Sequence, residues 1–452
     1  MRRIKAGFVG FGEVNTPREL VERLCRAARA QLPADEFEIF ETAPVSDDPE
    51  GRDARRAAAE LRRHDFDLLL VCVAGWIPSH AALGVIDQFR HRPLVLWGLA
   101  GWQEGGRLIT TAPQAGTTAL RHPLEEMGFV FEYVTQTPGG PMPIPAILDF
   151  ARAARAAALL RGARIGQMGF RDMNLYGTMF DGMSLRAQIG VEVEFFEMLE
   201  IARGMAECDA AALAALGARM QSRWQFTKPA QPATLENTIR LCWALRRKIQ
   251  ERGYQALSFK DVDGVKKFFQ FAPAGALTLL HDTEPDICTI PENDTLGAVT
   301  QLMVRQLTGQ VGAYLEFYDF LENGVLMGVP DYVPPQVVDG PVRITPTAFG
   351  GFGEGLLNVS RIKTGPVTLT RLAHAGGRYC LHTVTGAAVP PPAWEEAGWQ
   401  PPAPQLPSLQ VNLDAPMPEF QDKVMGQHYI LAYGDQRRAL RGLARILGVA
   451  MI

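Results

Sequence analysis

The sequence predicts an α/β protein with two Rossmann-like parallel-sheet domains, followed by a C-terminal antiparallel β-barrel-like domain with a closing helix. Three observations carry that expectation. Over the first 150 residues, short continuous apolar runs alternate with amphipathic helical patterns, as in strands covered on both faces of a parallel sheet. The alternation restarts near residue 160. From about residue 311 it gives way to short period-two strands separated by Gly and Pro. A length of 452 residues allows three domains at roughly 150 residues each, expected at 1–155, 156–310 and 311–452.

The first strand is the apolar run Ile4 to Val9, and Pro17 to Leu32 reads as a helix with Glu19, Glu22 and Arg23 between apolar positions. Phe37 to Phe40, Leu68 to Val73 (LLLVCV) and Leu94 to Trp97 read as further strands, with Asp53 to Arg63 and Ala81 to Phe89 as the helices between them. The second unit opens with Arg164 to Met168, continues with Glu192 to Glu197, the long helix Glu236 to Arg252 and the strand Ala256 to Lys260, and ends on the helix Thr295 to Leu307 with Asn293 or Asp294 as its cap. In the third unit Val342 to Pro346, Gly355 to Val359, Gly365 to Leu372 and Tyr379 to Val384 read as barrel or sandwich strands, and Asp435 to Leu447 as the closing helix. The proline cluster from Pro390 to Pro407 reads as an extended connection.

Composition narrows the function. A net charge of −4 argues against a bulk nucleic-acid binder, and 47% hydrophobic with 21% charged residues is ordinary for a globular chain. Six cysteines without CxxC spacing indicate neither a zinc cage nor a disulfide framework and suggest a reduced cytoplasm. No apolar run approaches the ~18 residues of a membrane span, and the N-terminus lacks the h-region of a secretory leader.

Ligands of parallel sheets bind beyond the strand carboxyl ends, which directs attention to the loops there. The glycines in GFVGFGEV lack GxGxxG spacing, and the run Gly350 to Gly355 lacks a following Lys-Ser/Thr, so neither is a phosphate loop. Trp76 and Trp102 follow strand ends and are candidates for the cleft or an interface, whereas Trp97 reads as core. In the second unit Lys260-Asp261-Val262-Asp263 follows a strand, at even odds between a cleft residue set and a solvated turn. Glu292 enters a helix and Glu316 lies on a strand-like segment two dozen residues later. Two such carboxylates can hold a hard cation or divide acid and base roles, although helix capping explains an isolated acidic residue as well. His428 sits in an apolar strand context, where a structural imidazole is as simple a reading as a ligand.

Taken together, these pieces resemble the L-fucose/L-arabinose isomerase family. The resemblance is strongest over Gly166 to Ile201 (GQMGFRDMNLYGTMFDGMSLRAQIGVEVEFFEMLEI) and extends to PENDTLGAVTQLM, LEFYDFLENGVLMG and the ending GQHYILAYGD. It implies aldose–ketose interconversion through an enediol, assisted by a divalent ion, usually manganese, with magnesium or no metal left open. Carried over by position, Glu292 and Glu316 match the two acidic ligands and acid/base groups, His428 the first His of a terminal pair, and Asn174 the second-domain loop lining the sugar pocket. Two positions depart from the pattern. Val329 stands where a ligand His is expected, and Tyr429 replaces the second terminal His, the one expected to reach the metal. Asp331, Tyr429 and Lys260 are the polar groups left to line the pocket. An altered-chemistry epimerase or lyase, metal-independent, and a non-catalytic sugar-binding protein stay open as alternatives. The resemblance also implies a cytoplasmic homotrimer or homohexamer with its active site at a subunit interface, acting on a small sugar, with neither nucleic acid nor membrane as partner.

Overall fold

The structure, a computed structural model, describes residues 1–328, 332–348, 351–391 and 408–452. The chain divides into two compact units, residues 1–158 with 438–447, and residues 159–437 with 448–452.

The first unit is a five-stranded parallel sheet in the spatial order Phe37–Glu41, Ile4–Phe11, Leu68–Val73, Leu94–Gly98, Phe131–Thr135. Every residue of Leu68–Val73 is buried, as its unbroken apolar run requires of a central strand covered on both faces. Helix Arg18–Arg29 turns Val21, Cys25 and Ala28 inward. The helix Arg437–Leu447 contributes its residues from 438 onward to this unit, where Gly442 lies against Phe150 and Ala153.

In the second unit a four-stranded parallel sheet runs Cys288–Ile290, Ala256–Phe259, Arg164–Met168, Glu192–Phe196. The same unit contains a closed six-stranded antiparallel barrel in the order Gly365–Ala375, His428–Tyr433, Ala313–Leu321, Gly324–Gly328, Ser408–Leu413, Arg378–Val389, the last strand pairing back to the first. Gly376 and Gly377, at φ 58° and 77°, supply the two left-handed residues of the tight hairpin that joins the first and last barrel strands. Helix Thr295–Thr308 packs on the sheet strands Cys288–Ile290 and Ala256–Phe259 and on the barrel strands Gly365–Ala375 and His428–Tyr433. One element thus fixes the sheet to the barrel.

Some local expectations need correcting. Val342–Ala348 and Glu354–Asn358 do not join the barrel; they form a separate three-stranded sheet with Trp224–Phe226. Period-two patterning identifies a half-buried strand but not the sheet it joins. The proposed turn after Ala256–Phe259 is a π-helical segment, Asp261–Phe269, with Asp261 and Lys266 buried, so it is not a solvated turn. Asp331, Val329 and residues 392–407 of the proline cluster lie outside the described residues. Among the described residues no helix is long and apolar enough to cross a membrane.

Candidate active site

Three loops at the strand carboxyl ends of the second sheet converge: Gly169 to Asn174 after Arg164–Met168, Lys260 to Asp263 after Ala256–Phe259, and Pro291 to Asp294 after Cys288–Ile290. The strand order reverses between Arg164–Met168 and Ala256–Phe259, the crevice in which ligands of doubly wound sheets bind.

Glu292 and Asn293 both hold left-handed backbone, φ 64° and 52°. That conformation costs free energy for residues bearing a Cβ and persists only where the surroundings impose it. The Glu292 N–H donates to Asp261 Oδ1 at 3.0 Å, and the Asn293 N–H donates to Phe259 O at 3.2 Å. Asn293 also donates from Nδ2 to Met168 O at 2.9 Å, which ties the turn to the neighbouring strand. Burial pushes the Asp261 carboxyl up to about 6, against the pull of the Lys266 ammonium 3.1 Å away, while Asp172 adds to the rise. Asp172 accepts backbone N–H bonds from Val262 at 2.8 Å and Asp263 at 2.7 Å and so anchors the start of the π-helical segment. Asp294 caps the next helix, its Oδ1 accepting from the Gly297 N–H at 2.9 Å.

The barrel supplies the other half of the site. Glu316 and His428 are directly opposed on adjacent antiparallel strands, so their side chains share a face. His428 Nε2 lies 3.7 Å from Glu292 Oε2 and 3.5 Å from Glu316 Oε2. Glu316 is the most open of the three, its side chain 28% exposed against 7% for Glu292 and 2% for His428. Tyr314, two residues before Glu316 and on the same face, stacks on the His428 ring with centroids 4.2 Å apart and planes at 20°.

Alternation along His428–Tyr433 sends Tyr429 to the opposite face, into the barrel core. Its hydroxyl accepts from the Met425 N–H at 2.9 Å and is hydrogen-bonded to His382 Nδ1 at 2.7 Å, and burial pushes the phenol up. Position 428, not 429, therefore presents a side chain to the carboxylates, so a tyrosine at 429 removes no ligand from this face. Lys260 and Asn293 both border Gly169 in the same loops. Asn174 is exposed at φ 55° and accepts from Arg171 Nη2 at 3.1 Å, outside the group formed by Glu292, Glu316 and His428. Trp76 and Trp102 belong to the first unit, Trp76 38% exposed and Trp102 half-buried with its Nε1–H donated to Glu104 at 3.2 Å.

Sequence reasoning read Asp294 only as a helix cap and missed its partners behind the three site residues. Arg371, on Gly365–Ala375, makes a bidentate contact with Asp294: Nη2 donates to Oδ1 at 2.9 Å and Nη1 to Oδ2. The Tyr314 hydroxyl donates to the same Oδ2 at 3.0 Å. Despite complete burial, the Arg371 guanidinium holds the Asp294 carboxyl below its usual range. A cation inside the apolar run TLTRLAHA was the available signal, because such a charge is buried only with a partner.

Two carboxylates and an imidazole at one crevice can move protons at adjacent carbon atoms and offer donors to a divalent cation. A parallel sheet and a closed barrel of the same unit hold this trio at their junction. The L-fucose isomerase of Vibrio vulnificus is 22% identical over 340 residues, covering 68% of this chain and 57% of that protein. The sulfoquinovose isomerase of Alkalicoccus urumqiensis is 20% identical over 380 residues, 80% of each chain. An L-fucose isomerase of Haemophilus influenzae is 25% identical over 152 residues, 33% of this chain and 25% of that one. The chain thus spans 57% and 25% of the lengths of these two fucose isomerases. No family model matches it. The chain is thus similar, at 20–25% identity, to fucose and sulfoquinovose isomerases.

Proposed function

We propose that this protein interconverts an aldose and a ketose, the substrate being a sugar or sugar derivative, with Glu292 and Glu316 as the proton-transfer pair. The approach of both carboxylates to one imidazole edge, at 3.7 and 3.5 Å, carries the reading. One carboxylate removes the proton from C2 of the aldose while O1 takes up a proton, giving an enediol. The proton then returns to C1 as O2 gives up its own, so that no atom is gained or lost.

The donor set fits a divalent ion, manganese first and magnesium second. Ligands each about 2.1 Å from one ion stand at most about 4.2 Å apart, and both measured separations fall below that. Among the described residues no three His, Cys, Asp or Glu side chains already meet around a single point, and the half-open Glu316 is the group with room to complete the set. When bound, the ion would polarise the carbonyl and hydroxyl oxygens of the sugar. The three side chains would hold it, and the buried, turn-locked Glu292 would keep its orientation throughout.

The proposed assembly is a homotrimer or homohexamer, and the exposed apolar side chains Phe170, Tyr176, Met183, Phe195 and Leu199 on the second unit support an interaction surface there. Light scattering on the purified protein tests that assembly. The function is tested by incubating an aldose panel in D2O with added Mn2+ and following solvent deuterium into C1 of the ketose. Glu292→Gln is expected to abolish exchange. Sugar binding without exchange in the unmodified protein would instead support a binding protein, and full turnover after exhaustive chelation a metal-independent enzyme.

A further inference from the structure

Three charged or hydroxyl-bearing residues outside the proton-transfer pair form a continuous buried path that ends on the face of His428. Arg371 (barrel strand Gly365–Ala375) grips both oxygens of Asp294 (cap of helix Thr295–Thr308), and Asp294 accepts the hydroxyl of Tyr314 on barrel strand Ala313–Leu321. Tyr314 then lies against the His428 ring at 4.2 Å. All four are almost wholly buried, with Arg371 and Asp294 at 3% and 1%. None of the first three lies within the acid/base pair, and capping alone does not account for them. The cap needs only Asp294 Oδ1, which accepts the Gly297 N–H. Oδ2 is the oxygen that receives Tyr314.

We propose that Arg371, Asp294 and Tyr314 are positioning residues that set the plane of the His428 imidazole and thereby aim Nε2 between Glu292 and Glu316. A histidine ring at the edge of a strand turns about its terminal side-chain torsion in a broad well, so its plane must be imposed from outside. A phenol stacked at 20° imposes that plane only if it is itself held: the hydroxyl bond to a fixed carboxylate anchors the far end of the ring over the imidazole, and the burial of the ring, 2% exposed, keeps it from turning about its own axis. Asp294 is fixed in turn because Arg371 holds it in two places, as bidentate guanidinium–carboxylate pairs do. The path also explains why an ion pair is kept in the interior, where a well-packed apolar pair is often as stable.

This inference rests on the isomerase reading for its catalytic consequence but not for its geometry. Tyr314→Phe keeps the stacked ring and removes the tether, and Tyr314→Leu removes both. Groups that orient a metal-ligating histidine typically change metal affinity or activity ten- to a hundredfold when removed. For Tyr314→Phe the expected result is a roughly tenfold lower kcat with KM within twofold, and Mn2+ affinity lowered about tenfold by titration calorimetry. The thermal midpoint should stay close to that of the unmodified protein. In histidine-labelled protein, the ring protons of His428, assigned with His428→Gln, should be shielded by the overlying phenol. That shift should broaden or split in Tyr314→Phe and disappear in Tyr314→Leu. Unchanged kcat, Mn2+ affinity and ring signals in Tyr314→Phe would overturn the proposal, as would equal losses in kcat and thermal midpoint. If the unmodified protein neither turns over an aldose nor binds Mn2+, the isomerase reading fails, and the ring signals alone still decide whether Tyr314 sets His428.

Discussion

Replacing Arg371 by methionine should unfold the second unit far more readily than removing the whole ion pair. Arg371 and Asp294 are 3% and 1% exposed and share two hydrogen bonds, so the methionine variant leaves an aspartate charge in the interior without its guanidinium, its remaining hydrogen bonds coming from the Tyr314 hydroxyl and the Gly297 N–H. Breaking one side of a buried pair costs about 3–5 kcal/mol, whereas replacing both partners by uncharged groups of similar size is often near neutral. Asp294→Asn alone buries an unpaired guanidinium and should cost a comparable amount. The double variant Asp294→Asn with Arg371→Met keeps an amide oxygen to accept the Gly297 N–H, turns its amide N–H towards the Tyr314 hydroxyl, which then accepts, and removes both charges of the pair. It should recover at least 2 kcal/mol relative to the sum of the single losses, within the range for directly contacting residues. Urea unfolding followed by circular dichroism measures this. At about 3 kcal/mol per M, a loss of 3–5 kcal/mol lowers the midpoint by about 1–2 M. Single variants within about 0.5 kcal/mol of the unmodified protein, or a double variant whose loss equals the sum of the two, would refute the reasoning. The first result would mean that water reaches the pair, and the second that the two charges are not coupled.

Further outcomes follow from the same structure. His281 is fully buried, hydrogen-bonded through Nε2 to Thr289 at 2.8 Å, and burial lowers its pKa to about 3. The unfolded chain binds the proton from about pH 6.5 downward while the native one does not, so stability should fall as pH drops from 6.5 towards 3. Between pH 7.5 and 4.5 the loss is about 2–3 kcal/mol, and His281→Gln should flatten that part of a pH–stability curve. Gly353→Ala would bring a Cβ to 1.7 Å from the Gln270 carbonyl oxygen, a backbone atom. It should cost about 3 kcal/mol or more by denaturant titration. Asp261→Asn keeps an acceptor for the Glu292 N–H but weakens the Lys266 contact, and should lower kcat more than it raises KM in an isomerase assay.

The parts legible in the sequence were those set by local pattern. LLLVCV could only be a strand buried on both faces, and Asp294 before TLGAVTQL was readable as a cap because capping depends on residues three apart. Glu316 and His428 could be placed on strands, but their pairing is a register between segments more than a hundred residues apart, which no local pattern records. The same limit hid Arg371, whose partner lies 77 positions away. It also misdirected the reading of Tyr429. A slip of one residue along a strand moves a side chain to the other face, and only the pairing of Glu316 with His428 tells which of the two neighbours faces the carboxylates. Val342–Ala348 failed for a related reason, since its alternation is that of a strand in either sheet.

The return of residues 438–447 to the first unit bears on how the protein is made. Ala439, Leu440, Leu443, Ala444 and Leu447 are buried, so the unit that starts at the amino terminus gains part of its core from codons translated after residue 437. Its five strands can pair as they emerge, but its final packing has to wait until almost the entire second unit has left the ribosome. Nascent chains halted before residue 438 should therefore hold a first unit with native strands and excess susceptibility to protease. A fragment ending at residue 158 should regain resistance when a peptide of residues 438–447 is supplied in trans.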